Sequence, residues 1–257
     1  MIRKLTGEDK LNLKLDNYYA RRIISYYNAY GLDYDFCTFF EISNEEEIYG
    51  YILQINALVI IEIFKREGQF FLEEIEGYIK LNEPYRIEAP SFVINYLKID
   101  ENYKIIKRTQ FELTYHKPTN FDESFLNFNP KLDDVFEILT EGFPNVNNYA
   151  LWLTENSHRV RRGISKMFLY KNCSTATIIF DIENNILIGQ VATKIEARGK
   201  GYARELLYWL GYYLFLNGKS ATLFALDYRE SFYREIGFKE ISIENVIQRN
   251  DEGKDVK

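Results

Sequence analysis

The sequence predicts a mixed α+β protein in which one order of elements occurs twice. Two observations carry this reading. Runs with the alternation of half-buried strands are interleaved with segments of helical period along the 257 residues. The order helix, two or three strands, helix, strand, helix, strand is read once before a polar stretch at His116–Pro130 and again after it, without a residue-level repeat.

In the first half, Asn12–Tyr30 has helical period and stops at Gly31. Strand-like runs follow at Phe36–Ile42, Tyr49–Ile55 and Leu58–Phe64. Phe70–Leu81 reads as a helix that ends before Pro84, Tyr85–Glu88 as a short strand, Pro90–Leu97 as a short helix, and Tyr103–Tyr115 as a long alternating strand. The segment His116–Pro130 holds two prolines and repeated Asn and Phe, and is expected to be a connector.

The second half restarts with a helix at Leu132–Glu141, bounded by Gly142 and Pro144, and another at Asn148–Arg162, bounded by Gly163. Strands are expected at Ile164–Lys171, Thr175–Ile182 and Ile186–Thr193, with Asn184-Asn185 as the hairpin turn between the last two. Tyr202–Asn217 places Ala203, Leu206, Leu207, Leu210 and Leu214 on one face, the pattern of an amphipathic helix, with Gly218 past its end. Ala221–Leu226 reads as a buried strand. Asp227–Ile236 reads as a helix with Asp227 as N-cap and Glu230 three residues on, and Phe238–Ile247 as the last strand.

Composition narrows the function classes. Residues 1–130 carry 15 Lys+Arg against 21 Asp+Glu, and residues 131–257 carry 17 of each, so the whole net charge of −6 lies in the first half. Such a chain lacks the basic face that a nucleic-acid partner requires, and its acidic half favours a cationic partner such as an amine. Two cysteines, Cys37 and Cys173, have no metal-ligand spacing, so no metal is expected. The N-terminus shows no apolar signal segment, and the longest apolar run, Ala57–Phe64, contains Glu62 and is too short to cross a bilayer. No membrane partner is expected, and the expected location is the cytoplasm.

The segment with most chemical content is Arg198-Gly199-Lys200-Gly201-Tyr202-Ala203, between a strand and an amphipathic helix. Two glycines let the backbone curl, the helix start offers unpaired N–H groups at the positive end of its dipole, and Arg198 and Lys200 add charge. The pattern R-x-x-G-x-A is weak alone; its position between strand and helix makes it an anion site. A P-loop requires Ser or Thr after the Lys, where this chain has Gly201. A dinucleotide fingerprint requires a third small residue where this chain has Arg204.

The stretch LIGQVATKIEARGKGYARELL resembles the acyl-CoA-binding segment of the GNAT superfamily of N-acetyltransferases, and SFYREIGFKE resembles that family's later segment, in which a Tyr precedes a Gly-Phe pair. The resemblance covers roughly Leu132–Ile247 and implies a GNAT acyl-CoA N-acyltransferase fold for the second half, with acetyl-CoA as cosubstrate. It implies that the backbone of Val191, Ala192 and Thr193 pairs with the pantetheine arm. It further implies that Arg198, Gly199, Lys200, Gly201, Tyr202 and Ala203 hold the pyrophosphate, and that Tyr233 protonates the departing thiolate. The expected layout is a degenerate GNAT-like α/β unit at 1–115, a connector at 116–130, the acyltransferase unit at 131–250 and a disordered tail at 251–257. In the first half the loop position falls on Lys65–Phe71, which lacks the glycine pattern.

The implied reaction is transfer of acetyl to a primary amine by direct attack, the amine belonging to a small molecule. A peptide or protein amine is the alternative within enzymes, and a non-catalytic acyl-CoA-binding or sensing module the alternative outside them. No general base stands out: His158, Arg159, Arg161 and Arg162 read as helix-end residues, and Glu196 as solvent-facing. Cys173 has no His partner that would make it a nucleophile, and Trp152 and Trp209 read as packing residues.

Overall fold

A hydrogen-bonded N-terminus sets the first helix. In the computed structural model, which describes residues 1–45, 47–67, 70–98, 100–143 and 146–250, Asn17 accepts from Ala20 N at 3.0 Å and caps α1 (Tyr18–Tyr30). This cap explains why the helix begins six residues after the point that periodicity predicts, because an Asn side chain holding its own helix start ends the helix there. Gly31, at φ +66°, terminates α1. A short strand absent from the sequence reading, β1 (Ile2–Lys4), pairs antiparallel with β2 (Cys37–Ser43). An antiparallel meander continues through β3 (Ile48–Ile55) and β4 (Leu58–Ile63). Then come α2 (Phe70–Asn82), β5 (Arg86–Glu88), α3 (Ser91–Tyr96) and β6 (Tyr103–Glu112).

The second passage through this order begins within the segment expected to be a connector. That segment carries a 3-10 turn at Glu123–Phe125 and the two-residue strand β7 (Leu126–Asn127), and Phe121 stacks on Tyr170 at 4.5 Å. Phe121 and Phe128 are partly buried and pack against the core of this unit, whereas Phe125 is exposed. The chain continues through α4 (Leu132–Gly142), α5 (Tyr149–Arg161), β8 (Lys166–Tyr170), β9 (Ser174–Ile182), β10 (Asn185–Thr193) and a 3-10 turn at Ile195–Ala197. It ends with α6 (Tyr202–Leu216), β11 (Ser220–Leu226), α7 (Asp227–Glu235) and β12 (Lys239–Arg249). The β9–β10 turn carries its positive φ angles at Glu183 (+50°) and Asn184 (+62°), one residue before the Asn184-Asn185 pair expected.

The chain forms two compact units, 1–108 with 243–257, and 109–242. The division expected from sequence is instead 1–115, 116–130 and 131–250. Residues 251–257, expected to be a disordered tail, lie outside the described residues, as do Gly68 and Gln69 of the first-half loop position and Pro144. In the first unit the strands run β1-β2-β3-β4-β5 and then β12; in the second they run β7-β8-β9-β10-β11 and then β6. In each, the fourth and fifth strands are parallel and the others described are antiparallel. Each unit is therefore closed by a strand from the other half of the chain. The architecture is mixed α+β, as expected.

The cores follow from the strand faces. In the second unit Phe168, Tyr170, Ile188, Leu206, Leu210 and Leu223 form one buried cluster under α6. Val135, Ile138, Leu139 and Trp152 form another under α4 and α5. Trp152 and Trp209 are packing residues, each 7% exposed. Arg159, expected to be a solvated helix cap, is instead buried and donates to Ser165 Oγ at 3.2 Å and to Ile179 O at 2.7 Å. The helix-end rule places its charge correctly near free carbonyls but not its burial.

Candidate acyl-CoA cleft

The site begins with a defect in β10. Gly189 is opposite Thr177 and Ala192 opposite Thr175, so Gln190 and Val191 face the single residue Ala176 of β9. This is a β-bulge, and Gln190 takes the extra turn at φ +52°. Its amide is held on both sides: Thr177 Oγ1 donates to Gln190 Oε1 at 2.9 Å, and Gln190 Nε2 donates to Asn156 Oδ1 at 3.3 Å. The parallel register between β10 and β11 ends at Ile188–Leu223, just before the bulge. From there the two strands part. Ala192 stays in register with β9 and Lys194 N donates to Cys173 O, so alternation turns the backbone groups of Val191 and Thr193 away from β9 into the gap.

A cleft of ≈ 810 Å³ occupies this gap within the second unit. Val191, Ala192 and Thr193 of β10, Arg198, Gly199, Gly201, Tyr202 and Ala203 of the loop and helix start, and Tyr233 of α7 all line it. Of the acyl-CoA and catalytic residues that the resemblance implies, only Lys200 does not line it; Lys200 is exposed.

The loop owes its shape to Gly199 at φ +77° and Gly201 at φ +81°, a region that L side chains avoid. Gly201 is the residue before α6, and no side chain caps that helix. The N–H groups of Gly199, Lys200, Gly201, Tyr202 and Ala203 donate to no described group, which leaves a row of donors at the positive end of the helix dipole. The one carboxylate in the first turn, Glu205, is held by Tyr170 Oη at 2.9 Å and Lys171 Nζ at 3.6 Å. The carboxylate nearest the loop is thus paired with a cation. The Arg198 side chain donates through Nε to Thr193 O at 3.1 Å and through Nη2 to Glu141 O at 2.7 Å. Its side chain staples the end of β10 to the end of α4, and its charge remains beside the loop.

Tyr233 is 5% exposed and walled by Phe111 at 5.5 Å, Phe232 at 5.2 Å and Phe238 at 6.1 Å. Its hydroxyl bonds no described group, and the residue lines the cleft. Burial pushes its phenol up to about 12, partly opposed by the charge of Arg229. Arg229 is not singled out by the sequence reading. It sits one helical turn before Tyr233 on α7, lines the same cleft, and donates to Val191 O at 3.4 Å and to Gly142 O. The signal that could have found it is its i, i+4 spacing to Tyr233. The other end of this clasp is tight, since a Cβ on Gly142 would come within 2.8 Å of Ala192 Cβ.

The remaining residues weighed from the sequence lie elsewhere. Asp227 begins α7 without capping it, and Glu230 is buried and accepts from Thr109 Oγ1 and Arg234. Burial raises the Cys173 thiol, the opposite of what a nucleophile requires. His158 and Glu196 are not among the cleft residues. Among the described residues no group of three or more His, Cys, Asp or Glu is arranged to hold a metal ion, and no helix is long and apolar enough to cross a membrane.

No family model matches the sequence, and no curated protein matches it. Solved structures do match. A tandem GNAT protein from the clavulanic acid biosynthesis pathway aligns with 99% of this chain and 99% of its own at a TM-score of 0.61 and 10% identity. A GCN5-related N-acetyltransferase from Sphaerobacter thermophilus aligns with 97% of this chain and 95% of its own at 0.59 and 16% identity. A GNAT-family acetyltransferase from Colwellia psychrerythraea aligns with 97% and 99% at 0.57 and 12% identity. At these identities the likeness concerns the fold, and it extends over both units: the chain has the fold of the GNAT acetyltransferases.

Proposed function

We propose that the second unit binds acetyl-CoA in the cleft between β10 and α7 and transfers its acetyl group to a primary amine by direct attack in a ternary complex. The observation that carries this reading is the row of undonated N–H groups at Gly199–Ala203, at one end of a cleft whose other walls are free strand backbone and Tyr233. The donor set suits a diphosphate: backbone N–H groups on a positive-φ glycine curl, with no heavy atom within 4 Å of where a Gly199 Cβ would be. Val191 and Thr193 offer the strand groups that an extended amide-bearing arm would pair with.

Bound there, acetyl-CoA supplies an activated acyl thioester. The chain's own residues do the rest. The N–H of Val191, turned into the gap by the bulge, is a donor for charge building on the acyl oxygen. Its carbonyl is held by Arg229, which fixes the peptide plane. Tyr233 Oη donates a hydrogen bond at the leaving side. Burial keeps the Tyr233 phenol protonated, so it stands as a donor to the leaving sulfur.

A second reading has its own observation. Both carboxylates lining the cleft are engaged, Glu141 by Ile195 N and Glu235 by Arg204, so neither stands free as a base for the amine. That favours a non-catalytic acyl-CoA-binding module. Calorimetry with acetyl-CoA and thiol release over a panel of small amines and N-terminal peptides separate the readings. Binding with amine-dependent release supports the enzyme and binding alone supports the module; release with peptides alone moves the acceptor to proteins. Gly201→Glu, which sets a carboxylate into the loop, is expected to remove binding. Retention of normal acetyl-CoA affinity by folded Gly201→Glu protein sinks the cleft assignment.

A further inference from the structure

The backbone of β10 turns at a residue whose type does not ordinarily turn. Seven described residues other than glycine have positive φ, and six of them, Asn56, Glu83, Lys171, Asn172, Glu183 and Asn184, lie in connections between elements. Gln190, at +52°, alone lies inside a strand. A side chain at such an angle crowds its own backbone, so the angle persists only where the surroundings impose it. A glycine would adopt it freely; what the glutamine adds is an amide with two fixed partners. Thr177 of β9 is fully buried, and its Oγ1 donates to Gln190 Oε1 at 2.9 Å. Gln190 Nε2 donates to Asn156 Oδ1 of α5 at 3.3 Å. Asn156 is 8% exposed, and its own Nδ2 donates to Trp152 O at 2.8 Å, which leaves its oxygen for Gln190. The amide thus ties the bulge to β9 on one side and to α5 on the other. Gln190 is not among the cleft residues, whereas Val191, the next residue, is.

We propose that Gln190 is a positioning residue for acyl transfer: its amide, fixed between Thr177 and Asn156, locks the bulge and so aims the Val191 N–H at the acyl oxygen. The proposal rests on the reading that the cleft binds acetyl-CoA. Gln190 touches neither ligand nor reacting atoms and acts only through the peptide that follows it. The Val191 N–H belongs to the planar unit between Gln190 and Val191, so the backbone angles of Gln190 set its direction. Arg229, on Val191 O, holds the next peptide and not this one. The ladders give little help here. The parallel register with β11 ends at Ile188, and the register with β9 passes from Gly189 to Ala192. Gln190 and Val191 have no register partner in either, and the side-chain amide supplies the hold that the ladders lack. A donor fixed before charge develops needs no reorganisation when the charge appears, which is where such a hold matters to rate.

The test reads the acyl carbonyl and requires no acceptor. Acetyl-CoA labelled with carbon-13 at the acetyl carbonyl is bound to the protein, and the carbonyl stretch is measured by isotope-edited infrared difference spectroscopy. A fixed donor polarises the carbonyl and lowers its stretch. In the wild-type protein the band is expected below that of free acetyl-CoA in water. Gln190→Gly keeps the backbone angle and removes both amide bonds, and is expected to lose this lowering. Coenzyme A, which has no acyl group, is expected to bind wild type and Gln190→Gly equally. Thr177→Val, a near-isosteric change that removes only the donor to Oε1, is expected to lose part of the lowering. Added to Gln190→Gly it is expected to do nothing more, because the hydroxyl acts through the amide. A wild-type band at the free position overturns the proposal, since no fixed donor then sits on the carbonyl. So does an unchanged band in Gln190→Gly, which would show that the bulge holds itself, and so does a further loss when Thr177→Val is added. If Gln190→Gly fails to fold or binds coenzyme A more weakly, Thr177→Val decides: a partial loss at full coenzyme A affinity supports the proposal, and an unchanged band overturns it. Failure of wild-type protein to bind either coenzyme A or acetyl-CoA is a different result: it removes the cleft reading itself, and the proposal with it.

Discussion

Tyr233 shows how far one side chain's chemistry depends on its walls. Three rings exclude water from it, and desolvation outweighs the Arg229 charge that favours ionisation. A phenol at about 12 is a hydrogen-bond donor throughout the working pH range. Tyr233→Phe is therefore expected to lower kcat by roughly 10–100-fold, the loss of one donor to a developing charge, with acetyl-CoA affinity unchanged. The shape of the pH–rate profile between about pH 6 and 10 is expected to stay the same, because no limb in that range belongs to this group. A limb that vanishes in Tyr233→Phe would show the residue titrating there and acting as a true acid. The position is legible from its distance to Gly237-Phe238. Its acidity is not, since the Phe111 wall comes from a strand more than a hundred residues earlier. Arg229 escapes notice for the same reason: its partners Gly142 and Val191 are brought to it by the fold.

Elements are legible where local chemistry decides them and misplaced where partners do. Strands β2, β3, β4, β9 and β10 fall within a residue or two of their alternating runs, and α6 starts at the residue after the glycine curl. The bulge in β10 leaves no mark in the pattern, because Gln190 is an ordinary polar residue until Thr177 and Asn156 bind its amide. α1 starts late for a related reason. Asn17 both caps the helix and donates to Glu62 Oε1 of β4 at 2.8 Å. Glu62 is 3% exposed and its Oε2 has no partner among the described residues, and burial raises its carboxyl above the usual range. The sign of the linkage follows. A carboxyl raised in the folded state binds more protons folded than unfolded, so its ionisation costs stability as pH rises, and the cost is relieved as pH falls toward the unfolded value of 4.5. Glu62→Gln keeps an acceptor for Asn17 without the charge. It is expected to raise the melting temperature of the protein at pH 7 and to leave it little changed near pH 4. A variant that melts lower than wild type at pH 7 would show that the ionised carboxylate stabilises the α1–β4 contact. The same arithmetic runs in reverse at Glu88, whose carboxyl the Arg108 and Arg86 guanidinia hold well below its usual range despite burial. Its contribution is present above about pH 4.5 and is lost progressively below it.

At the scale of the whole chain, each unit lacks one strand of its own half. Periodicity orders the elements of both halves but assigns the last strand of each to the half that precedes it, because a local pattern carries no information about which sheet a strand joins. The first unit shows the consequence. Val246, Ile247 and Gln248 pair antiparallel with Glu88, Ile87 and Arg86 of β5, and Ile247 is fully buried in that unit's core. Glu244 accepts from Tyr19 Oη at 3.0 Å and lies 3.2 Å from Arg108 Nη2. Arg108, 5% exposed in its side chain, thus has two carboxylates, Glu88 from the first half and Glu244 from the last strand. Removing one partner of a buried ion pair costs about 3–5 kcal/mol, and an uncovered strand edge adds a site for misassociation. A chain ending at Ser242 is therefore expected to lose cooperative folding of its first unit and to aggregate through β5, even though that unit retains all of residues 1–108. Glu244→Gln, which keeps the strand and most of its hydrogen bonds, is expected to fold with a lowered melting temperature. Limited proteolysis followed by mass spectrometry reads both. In the truncated chain cleavage is expected throughout residues 1–108, and in Glu244→Gln the wild-type cleavage pattern is expected at ambient temperature. Protection of 1–108 in the truncated chain equal to that in the full chain would show that the first half folds by itself, and that its last strand is an addition to a finished sheet.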